Sequence, residues 1–158
     1  MIGEIGDLWD KHAEGYWIGI TINGFIKSNN RLVMGRGIAK EALDRYPDID
    51  LILADIIKRR GLGVVNLYPE RLWFFPVKHN WWEQADIKLI EASARELRQI
   101  KDYINELQKK AEASSRYTDR VYLPRLGCGN GRLKWEDVKP VLEPYFDDRF
   151  IIMTNENV

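Results

Sequence analysis

A chain of 158 residues with 45% hydrophobic and 30% charged side chains has enough apolar mass for one compact domain over residues 1–158. Lysine plus arginine and aspartate plus glutamate both total 24, so the formal net charge is zero and the broad basic footprint of a general nucleic-acid binder is missing. Cys128 is the only cysteine, which excludes an intramolecular disulfide, and no uninterrupted apolar run approaches the roughly 18 residues that a membrane span needs. The expectation is a soluble, cytoplasmic monomer without membrane anchor or secretion signal.

Met1 to Ile5 reads as a short or edge strand, and Gly6-Asp7-Leu8-Trp9 puts an acidic side chain just past a turn glycine, where Asp7 suits a helix cap. Tyr16 to Ile22 (YWIGITI) is rich in β-branched and aromatic residues and reads as a central strand ending at Asn23-Gly24. Within Lys27 to Met34, the run Ser28-Asn29-Asn30-Arg31 suits a hairpin tip. Gly35-Arg36-Gly37 then leads into a helix whose Ile38, Ala42 and Leu43 share a face, stopped by Pro47. Asp48 or Asp50 is expected to cap a further helix over Leu51 to Arg60, with Gly61 as its stop. Val64 to Tyr68 and Leu72 to Val77 read as two largely buried strands flanking Pro69-Glu70-Arg71.

From Asp86 to about Ala113, Ile87, Ile90, Ala94, Leu97, Ile100, Ile104, Leu107 and Ala111 recur at three-and-four spacing, the signature of a long amphipathic helix. Val121 to Leu123 reads as a buried strand, Gly127 to Gly131 sets three glycines at every second position, and Trp135 onward turns to helical spacing. Pro140 is expected near the first turns of that helix, where a missing N–H costs least. Phe150 to Met153 closes the chain as a buried strand. Strands interleaved with helices, several of them apolar throughout, predict an α/β domain with helices on both faces of a mostly parallel or mixed sheet.

The two glycine loops are where chemistry is expected. Glycine lets backbone N–H groups face a ligand with no Cβ in the way, and a following helix adds partial positive charge, so the natural guest is a phosphate or diphosphate. Neither the P-loop signature nor Gly-x-Gly-x-x-Gly spacing is present, and a glycine loop alone is as readily a tight turn as a binding site. Ligands in open α/β sheets sit beyond the strand ends, where both loops are predicted to fall.

Gly6-Asp7-Leu8, the strand ending at Asn23, Met34-Gly35-Arg36-Gly37-Ile38-Ala39 and the run Leu123 to Trp135 (LPRLGCGNGRLKW) together resemble a macrodomain. The likeness covers nearly the whole chain, including Phe75 to Trp82 (FPVKHNWW). It is nearest in pattern to the terminal ADP-ribose protein glycohydrolase branch and to small phage and bacterial macrodomains associated with ADP-ribose 1''-phosphate. The resemblance implies a three-layer α/β/α fold with a central mixed sheet, ADP-ribose or a derivative as ligand, and no cofactor. It implies that Asp7 and Leu8 meet adenine, that Asn23 lies beside the distal ribose, and that two loops grip the diphosphate and ribose. These are Met34, Gly35, Arg36, Gly37, Ile38 and Ala39 in the first, and Gly127, Cys128, Gly129, Asn130, Gly131, Arg132 and Leu133 in the second. Trp9, Tyr68 and Trp81 are candidates to stack on adenine, since the tail Met153-Thr154-Asn155-Glu156-Asn157-Val158 offers no aromatic.

The catalytic candidates are Asn23, Lys78 and His79. Lys78 matches the glycohydrolase lysine that attacks the distal ribose, whereas the loop aspartate that assists it there is Gly131 in this chain. A histidine titrates near neutrality and suits proton transfer, although a lone loop histidine more often faces solvent or caps a turn. Cys128 sits among loop N–H groups that can acidify a thiol, but the family uses the position for backbone shape. Trp81-Trp82 reads as packing, and two histidines with no clustered ligands predict no metal site. Three functions follow: hydrolysis of ADP-ribose 1''-phosphate, favoured because the assisting aspartate is missing; a non-catalytic reader of ADP-ribose; and removal of ADP-ribose from modified protein or nucleic acid.

Overall fold

The structure is a computed structural model that describes residues 1–155. The last three positions of the tail without an aromatic lie outside the described residues. Six strands, β1 (Ile2–Ile5), β2 (Trp17–Ile22), β3 (Val65–Leu67), β4 (Leu72–Pro76), β5 (Val121–Pro124) and β6 (Phe150–Thr154), form one sheet in the order β1-β6-β5-β2-β4-β3. Every neighbouring pair is parallel except β3 and β4, which makes the sheet mixed.

Alternation along the strands divides the apolar side chains between two cores. Ile18, Ile20 and Ile22 of β2, Leu72 and Phe74 of β4, Tyr122 of β5, and Ile151 and Met153 of β6 point to one face. There they meet helices α1 (Leu8–Ala13), α2 (Gly37–Arg45) and α3 (Ile49–Arg60) through Leu8, Ala42, Ile49, Leu53 and Ala54. Trp73, Phe75, Val121, Leu123, Phe150 and Ile152 point to the other face, against Ile90, Ala94 and Leu97 of α4 (Ile87–Lys110) and Val138 and Leu142 of α6 (Trp135–Leu142). The result is the expected helix, sheet, helix layering, driven by burial of both sheet faces.

Several local expectations are corrected. Asp48 sits at the N-cap position of α3 in left-handed geometry, φ +76°, and makes no capping bond; it and the buried Asp50 instead hold Arg31 at 3.1 and 2.8 Å. Pro140 is the sixth residue of α6, inside the helix rather than in its first turn, so the Glu136 carbonyl receives no N–H from it. β3 is only half-buried, because it is the outer strand. A one-turn helix α5 (Arg116–Asp119), closed by a reciprocal Ser115/Thr118 capping box, precedes β5.

Candidate functional site

The five parallel strands all end on one side of the sheet, and the loops leaving those ends carry most of the candidate residues. The chain leaves β2 toward β3 and β4 on one side, and leaves β5 toward β6 on the other, which makes the β2–β5 boundary the topological switch point, the position at which open α/β sheets place their ligands. Only two residue pairs, Trp17 with Val121 and Ile18 with Tyr122, connect these strands. Beyond them the Leu123 side chain lies over Gly19, whose absent Cβ would stand 2.2 Å from Leu123 Cδ2. Strands lie about 4.8 Å apart, so the four gaps from β1 to β4 separate Asp7 from Lys78 by on the order of 19 Å. The row of strand ends therefore suits an extended, dinucleotide-sized ligand.

The first glycine loop ends in the N-terminus of α2. Its cap residue Arg36 is extended and makes no side-chain capping bond, so the first-turn N–H groups of Gly37, Ile38 and Ala39 face outward with the positive end of the helix dipole. Gly37 has φ +57°, and a Cβ there would lie 2.9 Å from Asn130 Nδ2, which places the two glycine loops against each other. In the second loop Gly127 takes φ +77° and its carbonyl accepts from Leu133 N at 3.0 Å, while Arg132 N donates to Gly129 O at 3.0 Å. Gly131 has no room for any side chain: a Cβ would sit 2.4 Å from Gly127 O and 2.8 Å from Ala85 Cβ. The missing aspartate is thus a property of the loop's packing. Leu8 and Met34 bury their side chains in one core, and Ile38, Ala39 and Leu133 pack theirs partly against the two cores.

Lys78 follows β4 and reaches the second loop, its Nζ donating to Asn130 O at 3.1 Å and to Trp81 O at 3.3 Å. Partial burial, with Arg132 and Arg36 nearby, pushes its ammonium below the ordinary lysine range. Arg132 and Arg36 beside Lys78 make a cluster of three cations that a diphosphate would neutralise, and burial, the largest cause, disfavours the lysine's charge independently of them.

The remaining candidates divide. The Asn23 amide holds its own loop, donating to Val33 O at 3.0 Å and accepting from Phe25 N at 2.9 Å. Asp7 Oδ1 caps α1 by accepting from Trp9 N at 2.7 Å, and its exposed carboxylate keeps a second oxygen for a ligand. His79 is exposed, with Nε2 3.3 Å from Asp86 Oδ2, and thereby buttresses the N-cap of α4. Asp86 is destabilised by partial burial, yet the N–H groups of Lys88 and Leu89 and then His79 outweigh this and hold its carboxyl below the usual range. Cys128 is no acidified thiol: burial pushes it up, and Sγ donates to Leu126 O at 3.6 Å. Tyr68 stacks on Trp17 at the opposite end of the sheet and so leaves the set of stacking candidates. Trp9 is engaged by Glu41 and Arg45, with the guanidinium 4.0 Å from its ring centre. The reading of Trp81-Trp82 as packing holds in part: the rings meet each other and Trp82 meets Phe25, yet the two residues stay 49% and 55% exposed.

No protein-family model matches the chain. The macrodomain of Mycobacterium tuberculosis DarG superposes with a TM-score of 0.70 at 26% identity, over 98% of this chain and 99% of that one. The chain belongs to the macrodomain family. This macrodomain is also similar to Thermosipho africanus DarTG solved in complex with ADP-ribose, with a TM-score of 0.66 at 22% identity over 99% of this chain and 43% of that one. Among curated proteins, the DNA ADP-ribosyl transferase-DNA ADP-ribosyl glycohydrolase fusion protein of Thermosipho africanus is 31% identical across 137 aligned positions, 72% of this chain. The macrodomain spans about a third of the length of the curated relatives it matches, 32% of that fusion protein.

Proposed function

We propose that this macrodomain binds ADP-ribose along the row of strand ends and releases it from modified DNA. The observation that carries the reading is Lys78, an amine depressed below the lysine range, fixed by Asn130 O and so held against the second glycine loop. The relatives named for DNA ADP-ribosyl glycohydrolase activity and the structure holding ADP-ribose support the choice of ligand and reaction. In this scheme Asp7 takes the adenine end and the backbone of the two loops takes the diphosphate. The Lys78 amine adds to the anomeric carbon of the distal ribose as the bond to the DNA acceptor breaks. The leaving atom keeps the bonding electron pair and receives the proton shed by the lysine nitrogen, relayed by water. Water then hydrolyses the adduct, releasing ADP-ribose and restoring the amine. With Gly131 unable to carry a carboxylate, no loop aspartate takes part in either proton transfer. Asn23 shapes the first loop, and His79 acts on α4.

The test is release of ADP-ribose from an ADP-ribosylated oligonucleotide, run beside phosphate release from ADP-ribose 1''-phosphate. Lys78→Ala is expected to keep ADP-ribose binding and lose turnover on the oligonucleotide by on the order of a thousandfold or more. Phosphate release that survives in Lys78→Ala, with no ADP-ribose freed from DNA by the parent protein, would replace this reading with the phosphatase one. Binding with neither product would leave a reader.

A further inference from the structure

Two adjacent indoles stand in water at the reacting end of the site. Trp81 and Trp82 are 49% and 55% exposed, and their rings meet edge to face at 5.6 Å. Trp82 in turn packs edge-on against Phe25, 5.4 Å away on the loop after β2. The segment presenting them is tied down at both ends. Gly24 N donates to His79 O at 3.1 Å, Asp86 N to Val77 O at 2.9 Å and Ala85 N to Gly131 O at 2.9 Å, while Asn80 holds Glu83 at 2.7 Å. A firmly held loop that exposes two tryptophans, neither indole N–H bonded among the described residues, has not been shaped by core packing. Adjacent large apolar side chains left in water mark a contact surface.

Position selects the occupant. The Trp81 carbonyl is 3.3 Å from Lys78 Nζ, so the platform borders the amine, whereas Asp7 lies at the far end of the strand row. Whatever covers the indoles lies beyond the distal ribose, on the leaving side of the bond that Lys78 attacks. We infer that Trp81 and Trp82, braced by Phe25, form a subsite that stacks an unpaired nucleobase of the ADP-ribosylated strand. This rests on the proposed function, and the cations beside the platform, Lys78 with Arg36 and Arg132, supply the local positive charge that accompanies base stacking on aromatic side chains. An acidic or small polar acceptor on a protein offers no flat face for the indoles. The glutamate on the same loop, Glu83, is bound to Asn80 and would disfavour a strand backbone laid directly over it.

The experiment measures binding by calorimetry in the non-reacting Lys78→Ala background, with three ligands: free ADP-ribose, an ADP-ribosylated single-stranded oligonucleotide and an ADP-ribosylated peptide. Trp81→Ala and Trp82→Ala are each expected to weaken the oligonucleotide about tenfold or more while leaving ADP-ribose and peptide affinities unchanged. Trp81→Phe and Trp82→Phe, which keep a ring, are expected to restore most of the loss. Equal oligonucleotide binding with and without the indoles overturns the subsite, and so does a matching loss on the peptide. If both alanine variants also lose ADP-ribose, the phenylalanine variants decide by the same comparison. Failure of the parent protein to release ADP-ribose from DNA would overturn the proposed reaction, while this binding comparison would still judge the subsite.

Discussion

Replacing Gly131 by aspartate restores on paper the carboxylate of the glycohydrolase branch, yet the structure expects damage. A Cβ at this position stands 2.4 Å from Gly127 O and 2.8 Å from both Gly127 C and Ala85 Cβ. Two of these are backbone atoms, so no rotamer relieves the clash and the loop has to open. Opening breaks Ala85 N to Gly131 O at 2.9 Å and Leu133 N to Gly127 O at 3.0 Å. Two such bonds at about 1 kcal/mol each, with about 1–3 kcal/mol of overpacking, amount to roughly 3–5 kcal/mol. At a slope of about 2 kcal/mol/M the urea midpoint falls by roughly 2 M. Because the second loop's backbone N–H groups lose their arrangement as the loop opens, ADP-ribose affinity measured by calorimetry is expected to fall about tenfold or more. Gly129→Ala is the control, since a Cβ there meets nothing within 4 Å, and it is expected to change stability by no more than about 0.5 kcal/mol. Gly131→Asp with the parent's urea midpoint, or with faster turnover than the parent, would refute the reasoning.

Lys101 is 2% exposed on α4, donating to Thr118 O and Asn105 Oδ1, and burial lowers its pKa from 10.5 to about 8. The unfolded chain therefore binds the extra proton between those values, so stability rises with pH from about 8 to 10.5, by about 3 kcal/mol in the limit. Urea midpoints across that range, taken relative to Lys101→Met, check the sign; a difference that stays flat counts against a strained buried ammonium. The turnover proposed for Lys78 is expected to climb with pH to a plateau reached below the ordinary lysine pKa, because burial, Arg132 and Arg36 favour its neutral form. A pH–rate profile with no such rise speaks against a lysine nucleophile. Cys128, whose thiol is pushed up, is expected to react sluggishly with iodoacetamide at pH 7.5, and Cys128→Ala to keep turnover within about twofold. Asp86→Ala removes the cap on Lys88 N and is expected to cost about 1 kcal/mol in a thermal melt.

What could be read from the residues alone was whatever depends on neighbours along the chain. The long helix, the apolar strands and the Asp7 and Asp86 end positions follow from spacing and capping chemistry. The glycine loops were found as possible ligand loops, whereas at Gly37, Gly127 and Gly131 a Cβ would meet Asn130, Ile90 and Gly127 O of the protein itself, a packing demand not legible in the sequence. Contacts between distant segments were not legible. Asp48 and Asp50 resemble caps in sequence, but Arg31 recruits them. Arg116–Asp119 carries no apolar periodicity and is held by a capping box shorter than any window that detects it. A Trp-Trp pair before a helix looks like packing, which holds only in part once the loop's anchors show which way the rings face, and the burial that raises the Cys128 thiol comes from a core assembled by other elements.

The meagre join between β2 and β5 has a mechanical meaning. The sheet consists of two ribbons, β1-β6-β5 and β2-β4-β3, joined in the plane through the pairs Trp17–Val121 and Ile18–Tyr122. A ligand reaching from Asp7 to Lys78 would span that seam as a strap, with one end on each ribbon. By linkage, the free energy that tightens the strap is the same free energy that resists peeling the ribbons apart. Pulling the two ribbons across the seam with and without ADP-ribose would then read binding as force.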